Sequence, residues 1–287
     1  MSLTSFIHIP EVRRRFTETF PKPRVDLDAK IVAPPLTTHY SLVGTAFDYL
    51  MRFYVKHLNP KAVESAWVAE LAIDRLERYQ EYFVTKKGYT IDYIEEIATR
   101  ARSIVRQAKA FSSAYERTGS ITEELLVGSL HLAQLDPIFR AGIIDPNIGT
   151  TDERDTEDLR NLVSAVDSRD FKANRICVLN PTFGEGSRLV GGADCDLLID
   201  NTLLDIKTVK ALEIKRDYFN QLIGYYILFT IGGMDDISLD RIENLGLFFS
   251  RYSVLYTFPI DTFTGNPNFG EFVNWFRRKA EEVFEAH

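Results

Sequence analysis

Apolar positions recur at helical spacing through the first two-thirds of the chain and at strand spacing after Arg169. A helix is expected from near Ser41, SLVGTAFDYLMRFYVKHL, ending before Pro60 because the residue ahead of a proline disfavours helix. From Ala62 to Gly142 the spacing predicts three more helices: AVESAWVAELAIDRLERYQEYF, TIDYIEEIATRARSIVRQAKAF and ITEELLVGSLHLAQL. Asp145-Pro146 and the acidic stretch Asp152 to Asp158 read as a connector into a short helix, DLRNLVSAV. NRICVLNPTF then reads as a strand, and RLVGGADCDLLID with NTLLDIKTV as a hairpin. A helix from about Ala211 to Ile231 follows, then strands NLGLFFS and VLYTFPID, and a closing amphipathic helix, FGEFVNWFRRKAEEVF. This order suggests an α/β fold with one mixed sheet flanked by helices. It divides the chain into an arm and first core helix (1–60), an all-helical insertion (61–155) and a core (156–287). The first 35 residues, with Arg13, Arg14, Arg15, Lys22 and Arg24, look like a loosely structured arm.

Composition narrows the class only moderately. With 45% hydrophobic and 26% charged residues the chain is of ordinary globular type. No apolar run approaches the roughly 18 to 20 residues that span a bilayer, and the N-terminus lacks a secretory apolar region. Two cysteines, Cys177 and Cys195, suit a reducing cytoplasm better than a disulfide framework. The net charge of −7 argues mildly against a protein that coats nucleic acid nonspecifically, but not against a local basic grip on a phosphate backbone. The five histidines are scattered without zinc-ligand spacing, and no phosphate-cradling glycine loop is present.

The hairpin carries the candidate chemistry. If Asp200-Asn201 is a two-residue turn, Ile199 faces Thr202, Leu198 faces Leu203, Leu197 faces Leu204 and Asp196 faces Asp205. Alternation then puts Asp194, Asp196, Asp205 and Lys207 on one face, with Cys195, Leu197, Ile199, Leu204 and Ile206 on the other. Facing carboxylates repel by on the order of 3 kcal/mol at about 5 Å and an effective dielectric near 20. A divalent cation of the Mg²⁺ or Mn²⁺ kind would reverse that repulsion. Lys207 is then placed to orient or deprotonate an attacking water and to offset developing phosphorane charge. A solvated acidic hairpin with one salt bridge is the plainer alternative.

GGADCDLLIDNTLLDIKT resembles the core of the PD-(D/E)XK nuclease superfamily: an Asp on one strand, then (D/E)-x-K on the next, here Asp205-Ile206-Lys207. NQLIGYY on the following helix resembles the Q-x-x-x-Y motif of the RecB-type branch, matched by Gln221 and Tyr225. Gly224 beside them would let that helix approach the sheet closely. The resemblance covers the helix at 41–58 and roughly residues 170–262. It implies a restriction-endonuclease-like fold and metal-dependent hydrolysis of phosphodiester bonds in DNA or, less often, RNA. Asp196, Asp205, Lys207, Gln221 and Tyr225 would then be catalytic. The metal ligands would come from Asp196, Asp205, Asp48, Asp194 and Ile206, Asp48 because the family often draws an acid from its first core helix. An Asp48–Arg52 helix ion pair is the competing account of Asp48. No proline precedes Asp194 or Asp196; Asp196 is preferred as the first acid because it opposes Asp205. Arg102, Arg106 and Lys109 on one insertion helix, and Lys210, Lys215 and Arg216 after the hairpin, are candidate nucleic-acid contacts. A catalytically silent member of the fold that binds nucleic acid or a protein partner is the alternative function, and a purely structural salt-bridge network a third.

Overall fold

A computed structural model describes residues 2–25, 27–235 and 237–285. In chain order the elements are α1 (Leu3–Ile7), α2 (Pro10–Thr19), α3 (Tyr40–Leu58), β1 (Val63–Glu64), α4 (Val68–Arg78), α5 (Gln80–Lys87), α6 (Ile91–Thr118), α7 (Glu123–Ala141) and α8 (Glu153–Ser164). There follow β2 (Cys177–Leu179), α9 (Gly184–Leu189), β3 (Leu197–Ile199), β4 (Thr202–Lys207), α10 (Arg216–Gly232), β5 (Asn244–Phe249), β6 (Val254–Pro259), α11 (Asp261–Thr264) and α12 (Phe269–Glu285). The strands form one mixed sheet in sequence order, β1 to β6, parallel at β1/β2 and β4/β5 and antiparallel elsewhere. The protein is therefore α/β, with helices on both sheet faces.

Strand alternation explains the two cores. Leu197, Ile199, Leu204 and Ile206 point to a core shared with α3, α4, α6 and α7. Leu198, Leu203, Leu245 and Leu247 point to a second core built by α1, α2, α10 and α12. Helix α3 lies deep in the first, burying Phe47, Tyr49, Leu50 and Phe53. It stops at Asn59, whose side chain donates to the Val55 and Phe171 carbonyls and accepts from the Ala173 amide, tying the helix end to the approach to β2.

Several expectations need correction. The first part of the N-terminal arm is helical, over 3–7 and 10–19: Phe6 and Phe16, with Phe20 at the end of α2, pack edge-on against Phe272 and Phe276 of α12. The insertion is not all-helical, because Val63–Glu64 pairs with β2 as the edge strand of the sheet. Two residues are too few for strand periodicity to show against a helical background. The helix expected at 121–135 runs through Pro137 to Ala141. A proline near a helix end sacrifices one backbone hydrogen bond without ending the helix. The acidic stretch begins α8 rather than a loop, with the Asp152 side chain accepting from the Arg154 amide. Arg188 and Leu189, expected at the start of the hairpin, instead end α9 (Gly184–Leu189), and the first hairpin strand is only Leu197–Ile199. A Cβ at Gly186 would lie 2.4 Å from the Leu228 carbonyl oxygen and one at Gly232 2.2 Å from that of Phe183, so these glycines let α9 and α10 touch backbone to backbone. Helix α10 begins at Arg216, after an irregular stretch from 208 to 215. Among the described residues, no helix is long and apolar enough to cross a membrane.

Candidate active site

The hairpin has the register counted from the sequence: Leu197 opposite Leu204, Leu198 opposite Leu203 and Ile199 opposite Thr202. Asp200 occupies the left-handed region at φ 51°, which a short polar side chain tolerates in a two-residue turn. Its carboxylate accepts from the Asn174, Arg175 and Ile176 amides, fixing the turn against the approach to β2. Regular pairing ends at Leu197, and beyond it the alternation fails. Cys195 turns into the α10-side core, opposite to Leu197, with its thiol near the Leu204 carbonyl. Asp196 stays at the open end of the hairpin and accepts a hydrogen bond from the Ile206 amide.

A cavity of about 210 Å³ opens there. The segment leading into β3 brings Asp194 and Asp196 to it and β4 brings Asp205, Ile206 and Lys207; α3 adds Asp48, and α10 adds Gln221 and Tyr225. Every residue expected to be catalytic or metal-ligating thus lines one space, although the set is drawn from residues 48 to 225. Lys207 forms an ion pair with Asp205 and donates to Gln221 Oε1 at 3.0 Å. Gln221 Nε2 in turn donates to the Tyr225 hydroxyl at 2.7 Å, so α10 holds the ammonium through a relay one helical turn long. Lys207 Nζ also sits 4.9 Å from the centroid of the Tyr218 ring. Gly224 has a different role from the one expected: its missing side chain admits Leu3 of α1, whose methyls would lie 3.0 and 3.1 Å from a Cβ there.

The electrostatics are those of crowded, buried acids. Burial first and the Asp205 carboxylate second push the Asp196 pKa up to about 7. Burial, then Asp196, raise Asp48 well above the usual carboxylate range. Burial raises Asp205 despite the opposing pull of Lys207. Burial works against the Lys207 charge, but Asp205, Asp196 and Asp48 outweigh it and raise the pKa, so the side chain is an ammonium. Burial keeps the Tyr225 hydroxyl protonated far above neutrality. Among the described residues, Asp48 and Arg52 form no ion pair within 4.0 Å; the Arg52 guanidinium stacks instead on the Tyr49 ring, 4.7 Å from its centroid. Also among the described residues, no three His, Cys, Asp or Glu side chains converge as a preformed metal cage. The donors on offer are hard carboxylate oxygens, with Asp205 near enough to Asp196 to raise its pKa.

The basic candidates lie elsewhere. Arg102 and Lys109 are exposed on α6 but ion-paired to Glu77 and Glu70 of α4, and Lys109 also stacks on Trp67. Arg106 is exposed beside them. Lys210 donates to the Tyr40 hydroxyl at 3.3 Å and lies over that ring. Arg216 is committed to the Phe20 carbonyl at 2.8 Å, pinning the end of α2 to α10. Lys215 lies over Tyr218, the ring that Lys207 also faces.

Sequence reasoning missed two groups that line the cavity. Ser2, Leu3 and Thr4 cover part of it, with the Leu3 amide donating to the Gly192 carbonyl at 3.0 Å. Arg140 reaches it from the last turn of α7, its Nε 3.4 Å from Asp136 and its terminal nitrogen 3.9 Å from Asp194. The signal for Arg140 was lost when the helix was taken to stop before Pro137. No family model matches the chain, and no curated protein or solved structure matches it either.

Proposed function

We propose that the chain is a metal-dependent nuclease with a restriction-endonuclease-like core of the PD-(D/E)XK type, acting on DNA in preference to RNA. The observation that carries this reading is convergence. A carboxylate from α3, carboxylates from β4 and the segment leading into β3, the β4 lysine and the α10 Gln–Tyr pair line one cavity of about 210 Å³. A salt-bridge scaffold would neutralise its acids, whereas here four carboxylates, Asp48, Asp194, Asp196 and Asp205, share the cavity lining with two cations among the described residues, Lys207 and Arg140. Asp196 and Asp205 would hold Mg²⁺ or Mn²⁺, with Asp48, Asp194 and the Ile206 backbone as further donors. When bound, the ion supplies Lewis-acid polarisation of the scissile phosphate. Lys207, held by Gln221, would stabilise negative charge developing on the phosphate or orient the attacking water.

The alternative, a silent member of the fold that binds nucleic acid or a protein, draws on the absence of a preformed three-ligand cage among the described residues. Incubation with linear, circular and single-stranded DNA in Mn²⁺ separates the two. The nuclease reading expects cleavage that Lys207→Ala lowers by several orders of magnitude. Cleavage at the wild-type rate by Lys207→Ala would end it, and DNA binding without cleavage would leave the silent reading.

A further inference from the structure

We propose that Arg140 is the substrate-phosphate contact contributed by helix α7, a role that rests on the nuclease reading of the cavity. Arg140 and Lys207 are the two cationic side chains lining this space among the described residues. Lys207 is already ion-paired to Asp205 and hydrogen-bonded to Gln221. A phosphodiester entering a cavity lined by Asp48, Asp194, Asp196 and Asp205 therefore meets repulsion that a metal ion and one committed ammonium must offset. A second, uncommitted cation answers that need.

Arg140 is anchored at its base and open at its tip. Its Nε lies 3.4 Å from Asp136, a carboxylate that also accepts a 2.7 Å hydrogen bond from the Tyr49 hydroxyl. That hydroxyl accepts in turn from the Ala69 amide at 3.0 Å, so the anchor is locked to both α3 and α4. The tip is different. Its approach to Asp194, at 3.9 Å, is too long for a hydrogen bond, and this pair is partly exposed on both sides, 53% and 34%. Among the described residues, the terminal guanidinium nitrogens donate to nothing. A planar fork with unused donors suits two oxygens of a phosphate, a geometry that an ammonium cannot reproduce. Asp194, whose Oδ2 already accepts from the Asn180 amide group at 3.3 Å, is the nearest acceptor to the fork at 3.9 Å, and a phosphate would take its place. Arg102 and Lys109 on α6 offer no comparable tip, since each is closed by a glutamate.

The test uses the full chain and a fluorescent DNA oligonucleotide, with Arg140→Ala, Arg140→Lys and Arg140→Gln compared to wild type. Arg140→Gln removes the charge but keeps a donor for Asp136, so it serves if the alanine variant does not fold. Loss of one charged hydrogen bond to phosphate should lower kcat/KM about 10- to 100-fold, mainly through KM, with partial recovery in Arg140→Lys. The dependence of log Kd on log salt, measured in EDTA, should flatten by about 0.7 to 0.9, one phosphate's worth, in the Ala and Gln variants. A structural role would not move that slope. Variants that bind with the wild-type slope overturn the proposal, whether or not their activity falls. If the wild type cleaves nothing in Mg²⁺ or Mn²⁺, the nuclease reading fails by itself, and the salt slope still decides whether Arg140 contacts phosphate.

Discussion

Asp196 shows how much a single buried carboxylate can report. Its folded-state pKa of about 7 lies above the ordinary value of 3.8, so between these pH values the folded protein holds a proton that the unfolded chain has released. Stability of the metal-free protein should therefore fall as pH rises from about 4 to 7, the reverse of the usual effect of a salt-bridged aspartate. Asp196→Asn keeps an acceptor for the Ile206 amide while removing the charge. In EDTA at pH 8 it should stabilise the protein by about 1 to 4 kcal/mol, the low end from the Coulomb repulsion discounted for relaxation and screening and the high end from the pKa shift. In 10 mM Mg²⁺ the order should narrow or reverse, since a site with a dissociation constant of about 1 mM adds roughly 1.4 kcal/mol to the wild type and little to the variant. Melting curves at pH 5 and pH 8, with EDTA and with Mg²⁺, read both effects. A variant destabilised under all four conditions would mean that Asp196 is scaffold. The Lys207 side chain is only 14% exposed, so Lys207→Ala strands Asp205 in the protein interior and should cost some stability at neutral pH as well as activity.

The elements divide by how local their causes are. The hairpin was legible because a two-residue turn and strict alternation fix register by counting, and the Gln221–Tyr225 pair because i,i+4 spacing fixes a helix face. What escaped depended on distant partners. The arm became α1 and α2 because Phe6, Phe16 and Phe20 meet α12 some 250 positions away in sequence. Cys195 left its expected face because β3 is only three residues long and imposes no alternation before Leu197. Arg140 was lost to an over-strict reading of Pro137, and Asp48 was undecided because whether Arg52 pairs with it depends on Tyr49. The α6 stripe is where structure most changes an expectation. Glu77 and Glu70 close Arg102 and Lys109, so the stripe fastens α6 to α4. Replacing Arg102, Arg106 and Lys109 together should leave the salt slope of DNA binding within about one phosphate equivalent of wild type. A fall of 2 to 3 would restore them as phosphate contacts.

At the scale of the whole molecule, the helical layer must hold its place against the sheet if α3 and α7 are to deliver Asp48 and Arg140 to the open end of the hairpin. One interaction far from the cavity bears on this. Arg251, in the turn between β5 and β6, is 1% exposed and forks onto Asp158 of α8 at 2.8 and 3.1 Å. The same guanidinium donates to the Ala33 carbonyl at 3.0 Å, and Asp158 accepts from the Leu36 amide at 3.3 Å. Three segments that share no local sequence are thereby fastened at one point: the connection before α3, the helix α8 and the edge of the sheet. A buried ion pair is costly to desolvate, so removing one partner leaves an unpaired charge rather than merely deleting a contact. Arg251→Met and Asp158→Leu should each destabilise the protein by about 3 to 5 kcal/mol, a fall of roughly 6 to 20 °C in melting temperature for a domain of this size. Arg251→Met combined with Asp158→Leu should recover much of that loss, because an apolar pair of similar bulk carries no desolvation penalty. Urea denaturation of the singles and the double gives the coupling directly. Single losses below about 1 kcal/mol, or a double as weak as the sum of its parts, would show that apolar packing alone holds the helical layer to the sheet.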